Sequence, residues 1–229
     1  MQYQLIRSKR KTIAISFDRD GNLWVKAPLW VKDHEIEDFV ASRREWIAST
    51  ARRLEHAREE ERSRQVRLEN GDTLFYLGEK CTLTVLREER RRGKVKKVSG
   101  RLVLSVPYQA DYGYKKDEME KWYRREALRV ISHKAEMFAK MLQVTFANIR
   151  IKDQKSRWGS CSSKGNLNFN WRILMAPEPV CDYVVIHELC HLIHMDHSEA
   201  FWQQVKEACP GYLQYRGWLR QNGNLLYPF

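Results

Sequence analysis

The chain has 229 residues, a formal net charge of +12, 43% hydrophobic residues and 31% charged residues. That length suffices for a buried core, as one elaborated domain or as two small ones. No apolar run approaches the ~18 residues of a membrane span, and the opening MQYQLIRSKRK lacks the apolar stretch of a secretory signal, so we expect neither a membrane segment nor a leader.

The cysteines indicate a reducing compartment. Five are present, an odd number, and none forms a C-x-x-C pair. This pattern argues against a disulfide framework and against a cysteine-based zinc knuckle. We therefore expect free thiols in a cytoplasmic protein.

The first half of the chain predicts strands around one long helix. The segments KTIAISF and NLWVKAP alternate apolar and polar residues and flank the turn sequence DRDG, which indicates a β-hairpin. A long helix is expected near residues 33–64, with Asp33 as its N-cap. Its apolar positions suit one buried face: Ile36, Phe39, Val40, Trp46, Ile47 and Leu54.

Four short strands follow, in DTLFYLG, KCTLTVLRE, KVKKVS and RLVLSVP, separated by turns that contain glycine. Residues 1–110 are therefore expected to form a β-rich N-terminal region. The positive charge is densest in LREERRRGKVKK, residues 86–97. Such a basic surface favours polyanionic partners, including nucleic acid, although a solvated hairpin without a partner explains it equally, since no aromatic residues interleave with the charges.

The second half, residues 111–229, predicts a region of the α+β class. A long amphipathic helix over KDEMEKWYRREALRVISHKAEMFAKML precedes a strand in ANIRIKD. KSRWGSCS and NLNFNWRIL form an expected hairpin around SSKG. After Pro177 and Pro179 the chain is expected to enter another helix.

That last helix carries four of the seven histidines, within VVIHELCHLIHMDHSEAFW at residues 184–202. His187 and His191 are four residues apart and present two imidazoles to one point on a helix, with Glu188 beside them. This H-E-x-x-H spacing is typical of a zinc site in which two histidines bind the metal and the glutamate handles the proton of a water molecule. A buried helix with hydrogen-bonded histidines is the structural alternative.

A catalytic zinc needs a third protein ligand and one open position. His194 would lie roughly 10 Å along a continuous helix from His187, too far to share one ion. His197 becomes suitable if the helix stops near Met195 and the chain folds back, and Ser198 is a good N-cap for a following helix. Asp196 and Glu207 are the alternative oxygen ligands.

Three stretches resemble the YgjP-like metallopeptidase family, zincin-fold proteins akin to SprT and WLM domains. They are KSRWGSCSSKGNLNFNWRILMAP, VCDYVVIHELCHLIHMDHSEAFW and PGYLQYRGWL, with looser matches in SKRKTIAISF, VKAP and REWI. The resemblance implies a zinc site at His187, His191 and His197, with Glu188 as general base. It also implies a zincin-like core, with a short sheet over two helices and one strand at the edge of the cleft.

Three functions are compatible with these residues. The first is a zinc-dependent peptidase acting on peptide or protein, with Arg157, Tyr183 or Tyr215 as candidate oxyanion donors. The second, an activity attributed to the same family, is a metal-dependent pyrophosphatase acting on a nucleoside triphosphate such as UTP, with Lys155, Arg157 and Arg172 or the basic residues 90–97 as candidate phosphate-binding groups. The third is a nucleic-acid-associated factor with a structural metal site, although a glutamate beside a spare coordination position argues against it.

Overall fold

A computed structural model describes residues 2–18, 21–64, 66–89, 92–154 and 156–229. It contains helices and three small sheets, so the α+β class expected from the sequence is confirmed. The chain divides into two compact units, residues 1–65 and residues 66–229.

The first unit pairs a three-stranded sheet with two helices, listed in chain order: β1 (Gln4–Ser8), β2 (Ala14–Phe17), β3 (Leu23–Pro28), α1 (Asp33–Ser42) and α2 (Arg44–Arg64). The predicted hairpin is present, because β2 and β3 pair antiparallel. β1 adds to the other side of β3 in parallel. Val25, Ile36 and Ile47 lie in the core of this unit.

The single long helix expected near residues 33–64 is divided at Arg43. Asp33 is the first helical residue and Lys32 occupies the N-cap position. Trp46, expected on the buried face, is exposed, whereas Ile47 beside it is buried.

The second unit opens with a four-stranded sheet whose spatial order is β4-β5-β7-β6. Its strands are β4 (Thr73–Tyr76), β5 (Glu79–Glu88), β6 (Lys94–Val98) and β7 (Arg101–Pro107). β5 and β7 run parallel, and the other two pairings are antiparallel. Inward and outward positions alternate along β5 and β7. The inward side chains are apolar and buried, and they include Leu83, Val85, Leu102 and Leu104.

A 31-residue helix, α3 (Tyr112–Leu142), packs against this sheet and against the helix that carries the histidines. It begins where the carboxylate of Asp111 accepts a hydrogen bond from the backbone N–H of Tyr114 at 2.8 Å. One face buries Met119, Tyr123 and Ile131 in the core. The Tyr123 hydroxyl donates to the Phe75 carbonyl oxygen at 2.8 Å, which joins the helix to β4.

A second sheet of this unit has the order β8-β10-β9, with strands β8 (Asn148–Lys152), β9 (Gly159–Cys161) and β10 (Asn166–Asn170). β9 and β10 form the expected antiparallel hairpin, and β8 pairs parallel with β10. β9 is thus an edge strand. A 3₁₀ segment over Trp171–Met175 then leads to the helix of the histidines.

The last helices are α4 (Glu178–Cys190), α5 (Glu199–Ala208) and α6 (Tyr212–Asn222). α4 begins after Pro177 with Pro179 in its first turn, where the missing N–H of proline is harmless. The β4–β5 turn supports this start, since Gly78 has φ +81 and a Cβ there would lie 2.8 Å from the Cα of Pro177. The turn therefore requires glycine and fixes where α4 enters the core.

Residues 66–110 belong to the same compact unit as the histidine helix, whereas the sequence pattern had suggested a boundary near residue 110. The reason is the shared core, in which Leu83 and Leu102 from the four-stranded sheet lie in one cluster with Ile131 and Leu189. All five cysteines are free thiols. Within the described ranges, no helix is both long enough and apolar enough to cross a membrane.

Candidate metal centre

α4 brings His187, Glu188 and His191 to one side of its C-terminal turn. The helix ends at Cys190, and His191 follows as its C-cap with φ −66 and ψ −16. Because those angles are still helical, the relation of one turn between the two histidines is kept. Their ring centroids lie 4.9 Å apart.

The helix stops five residues before Met195, the end expected from the sequence. The N–H groups of Ile193 and His194 both donate to the Cys190 carbonyl oxygen at 3.0 Å, which closes the last turn. The chain then reverses into α5, whose N-cap Ser198 accepts from the N–H of Phe201 at 3.5 Å. This reversal returns His197 to the histidines of α4.

The three imidazoles converge. His197 Nε2 lies 3.2 Å from His187 Nε2, and one ring nitrogen from each of His187, His191 and His197 lies within 4.8 Å of the other two. Two ligands bound tetrahedrally at ~2.0–2.1 Å to one zinc ion lie about 3.3 Å apart. The donor set and its spacing therefore fit a divalent metal of the kind that imidazole favours.

A backbone carbonyl orients His191. The Nδ1 of His191 lies 3.0 Å from the carbonyl oxygen of His194. Since a carbonyl only accepts, Nδ1 carries the proton and Nε2 keeps its lone pair for a metal. His194 thus contributes its main chain to the site.

The protonation state of His187 is also suited to metal binding. Burial, together with the charges of His191, His197 and Arg216, lowers the pKa of His187 to about 3. The ring is neutral at physiological pH, as a metal ligand must be. Its buried Nδ1 has no hydrogen-bond partner among the described residues.

The carboxylate of Glu188 lies at the base of the site and is only 5% exposed. Burial raises the pKa of Glu188 to about 8, and the charge of Arg157 opposes that rise. Its Oε2 is buried and has no hydrogen-bond partner among the described residues. An unsatisfied carboxylate oxygen beside three imidazoles is consistent with a polar occupant of the cavity.

A cavity of about 490 Å³ opens above these groups. Three elements bound it: the edge strand β9, the helix α4 and the helix α6. The lining residues are Arg157, Trp158, Gly159, Ser160, Cys161, Tyr183, Val184, His187, Glu188, His191, Met195, His197, Arg216 and Leu219.

The three expected substrate-binding residues differ in whether they line the cavity. Arg157 lines the cavity, and Lys155 lies outside the described residues. Arg172 does not line the cavity, which corrects the sequence-based expectation. Its side chain is buried, pairs with Asp153 and lies against the rings of Trp171 and Tyr227 at 4.2 and 4.5 Å. This packing uses the guanidinium inside the fold.

The alternative metal ligands and the other candidate oxyanion donors lie in different parts of the structure. Tyr183 lines the cavity, whereas Tyr215 packs its hydroxyl end toward Gly211. Asp196 accepts a hydrogen bond from the N–H of Ser198 at 3.1 Å, and Glu207 accepts from Gln203 at 2.8 Å. Neither carboxylate belongs to the histidine cluster.

Two residues near the histidines were not singled out by the sequence. Trp202 stacks on His197 with ring centroids 5.5 Å apart, and the guanidinium of Arg216 lies over Trp202 at 4.6 Å. Both lie within stretches that carry the family resemblance. Neither periodicity nor spacing marks them, because α6 reaches the cavity only through tertiary packing.

Two solved structures are similar to part of this chain. A solved structure that matches is the metallopeptidase zymogen abylysin of Pyrococcus abyssi, 26% identical, covering 42% of this chain and 94% of its own, with a TM-score of 0.37. The metallopeptidase zymogen jannalysin of Methanocaldococcus jannaschii is 23% identical, covering 34% of this chain and 79% of its own, with a TM-score of 0.31. No curated protein matches the chain.

The family comparison extends over nearly the whole chain. The model of the YgjP-like metallopeptidase domain matches residues 11–222, which cover most of both units and every residue of the histidine cluster. The chain belongs to the YgjP-like metallopeptidase family.

Proposed function

We propose that this protein is a zinc-dependent peptidase. The observation that carries the proposal is the convergence of three imidazoles with the buried carboxylate of Glu188 at the base of one cavity. Three histidine ligands leave the fourth tetrahedral position open, which is the arrangement of catalytic rather than structural zinc. Membership of a metallopeptidase family supports the same chemistry.

His187, His191 and His197 would hold the metal. When bound, zinc supplies a Lewis acid that polarises a carbonyl and acidifies water. A divalent cation held by the histidines would favour the ionised form of Glu188. Its carboxylate accepts a proton and then passes it to the amine that leaves. His191 stays oriented through its hydrogen bond to the His194 carbonyl. The arginine and tyrosine side chains at 157 and 183 are the cavity groups that could donate to a developing oxyanion.

The edge strand β9 supports a peptide as substrate. The carbonyl oxygen of Trp158 accepts a hydrogen bond from the N–H of Asn170, and the N–H of Ser162 donates to the carbonyl oxygen of Asn166, so both bonds are made to the β10 side. By the alternation of a strand, Gly159 and Cys161 point their backbone groups to the opposite edge. No described strand pairs with that edge, so an extended peptide could add to it by β-augmentation.

A nucleoside triphosphate is the alternative substrate, and it needs several cations at the metal. Arg172 is buried elsewhere, and the described part of the basic segment 86–97 does not line the cavity. Arg90 and Arg91 of that segment lie outside the described residues. The cavity therefore favours the peptide.

The test compares wild type with Glu188→Gln. Both proteins are loaded with zinc, their metal content is measured, and they are assayed on unfolded casein, on short peptides and on a panel of nucleoside triphosphates. We expect full zinc content in both and a 10²- to 10⁴-fold lower kcat on peptides in the variant. Glu207→Gln, an exposed glutamate outside the cavity, is the matched control and should retain activity.

Two results would count against the proposal. One is peptide cleavage that persists in Glu188→Gln. The other is pyrophosphate release that is lost in Glu188→Gln while no peptide is cleaved by wild type, which would assign the site to nucleotides instead.

A further inference from the structure

The charges around the cavity are unbalanced. Two arginines, Arg157 and Arg216, line it, and among the described residues that line it Glu188 is the single carboxylate. Arginines therefore outnumber carboxylates in the wall of the cavity.

The exposed side chain of Arg216 lies over an aromatic ring. Its guanidinium lies over the ring of Trp202 at 4.6 Å. Trp202 in turn stacks on His197, with centroids 5.5 Å apart and planes 27° apart, and on Tyr212, with centroids 5.6 Å apart and planes 21° apart. A guanidinium stacked through its face keeps its N–H edge free to bind. The cation therefore lies next to the ring that stacks on the third histidine of the metal centre.

The side chain of Arg216 has no carboxylate or hydrogen-bond partner within the described part of the chain. Other arginines of the chain do have carboxylate partners: Arg172 pairs with Asp153, and Arg124 pairs with Glu120.

We infer that Arg216 binds a carboxylate of the substrate and so makes the site selective for acidic peptides. This inference rests on the proposed peptidase function. A carboxylate is the group that matches the planar fork of a guanidinium, and it is the only anionic group of an unmodified peptide. It can come from a Glu or Asp side chain near the scissile bond or from a free C-terminus.

A phosphate group would also bind a guanidinium, but the arrangement favours one carboxylate. Polyphosphates are held by several converging cations or by a glycine-rich loop of backbone N–H groups. The described cavity residues offer two arginines, Arg157 and Arg216, and one carboxylate, Glu188. This small excess of positive charge suits a single monovalent anion.

The experiment uses the zinc-loaded protein and an unstructured decapeptide library in matched versions. One pair of versions differs only at the C-terminus, which is a free carboxylate or an amide. A second pair differs only at the varied positions, which carry Glu in one version and Gln in the other. Wild type is compared with Arg216→Gln, which removes the charge, and Arg216→Glu, which reverses it. Arg220→Gln is the control, because Arg220 lies one turn further along α6, is exposed and does not line the cavity.

Wild type should cleave one acidic version with a lower KM than its neutral counterpart. Arg216→Gln should raise KM for that acidic version about 10- to 100-fold, the range expected for a lost charge-assisted hydrogen bond, and leave the neutral version unchanged. Arg216→Glu should prefer the neutral version, and Arg220→Gln should behave as wild type. The version affected, terminal carboxylate or Glu side chain, identifies the source.

Several results would overturn the inference. Equal losses on acidic and neutral peptides in Arg216→Gln would indicate a packing role. If wild type shows no preference for acidic over neutral peptides, the inference is also wrong. An effect of Arg216→Gln confined to hydrolysis of a nucleoside triphosphate would replace the carboxylate by a phosphate.

A binding measurement separates this inference from the proposed function. Fluorescein-labelled library versions are titrated with zinc-loaded Glu188→Gln, with and without Arg216→Gln, by fluorescence anisotropy. If wild type cleaves no peptide but binding still depends on both the carboxylate and Arg216, the peptidase proposal fails and the inference holds. If binding ignores the carboxylate, the inference fails whatever the activity.

Discussion

Gly159 of the edge strand and Glu188 of α4 are in direct contact. A Cβ on Gly159 would lie 2.5 Å from Oε1 and 2.6 Å from Cγ of Glu188, closer than real Cβ contacts. The glycine lies opposite Phe169 in the β9–β10 pairing, so the strand cannot easily move away. The absence of a side chain at residue 159 therefore sets where the carboxylate lies.

Gly159→Ala should displace Glu188 without removing the metal ligands. We expect kcat on peptides to fall about 10²-fold, the loss that a misplacement of about 1 Å can cause, with zinc content unchanged. Gly217→Ala is the control, because a Cβ there meets no atom within 4 Å. Full activity of Gly159→Ala would show that the carboxylate position is not set by this contact.

Removal of the third imidazole should abolish zinc binding. His197→Gln is expected to lose stoichiometric zinc and the thermal stabilisation that zinc gives. At 100 times Kd that stabilisation is about 2.7 kcal/mol, which corresponds to a rise in Tm of about 5–10 °C for a unit of this size. The measurements are metal analysis after dialysis and thermal unfolding with and without zinc.

His194→Gln is the matched control for that experiment. Its backbone carbonyl, which holds His191, is retained in the variant, so zinc content and the rise in Tm should match wild type. Zinc lost in His194→Gln but kept in His197→Gln would reassign the third ligand.

The N-cap of α5 should stabilise both the helix and the position of His197. Ser198→Ala removes the acceptor of the Phe201 N–H and should lower the free energy of unfolding by about 1 kcal/mol. It should also weaken zinc affinity, because His197 directly precedes the cap. Ser198→Asp, which retains an acceptor, should keep both properties. Denaturant unfolding and competition with a zinc chelator measure the two effects, and equal zinc affinity in Ser198→Ala would separate the cap from the metal site.

Lys134 joins α3 to the start of α4. Its buried ammonium lies 2.6 Å from both Glu178 and Asp182. Burial by itself would lower the pKa of Lys134, and the hydrogen bonds to Asp182 and Glu178 more than offset this, so the pKa is raised above 10.5. Lys134→Met should destabilise the protein by about 1–3 kcal/mol, since two carboxylates lose their cation.

The same ion pairs predict a pH dependence. A raised pKa of a lysine in the folded state gives stability that is complete below about pH 10.5 and is lost as the pH rises through the folded pKa. Unfolding curves at pH 8 and above pH 10.5 should therefore differ more in wild type than in Lys134→Met. An equal alkaline loss in both proteins would place the titrating group elsewhere.

Local patterns accounted for much of the second unit. The hairpin of β9 and β10 followed from alternation around a turn, and the long helix α3 from its apolar period. The predicted cap at Ser198 agrees with the structure. α4 begins at Glu178, before the second of the two prolines after which it was predicted to start. These features depend on residues close together in the chain, where dihedral preferences and short-range hydrogen bonds decide the conformation.

Pairings between distant segments could not be predicted in this way. β5 pairs parallel with β7, and β8 pairs parallel with β10, with other chain segments between the partners. The break at Arg43 and the exposure of Trp46 depend on how the second helix leaves the sheet. Arg172 resembled a substrate ligand in sequence and is a packed, ion-paired residue in the fold.

By itself the sequence determined that His187, Glu188 and His191 share one side of a helix, because the helical repeat brings residues four apart into register. Tertiary structure decided the rest of the site. It ended α4 at Cys190, returned His197 to within 3.2 Å of His187, and brought Gly159 against Glu188 and Arg216 over Trp202. Those contacts join separate elements, and only the packing of a shared core sets distances between elements.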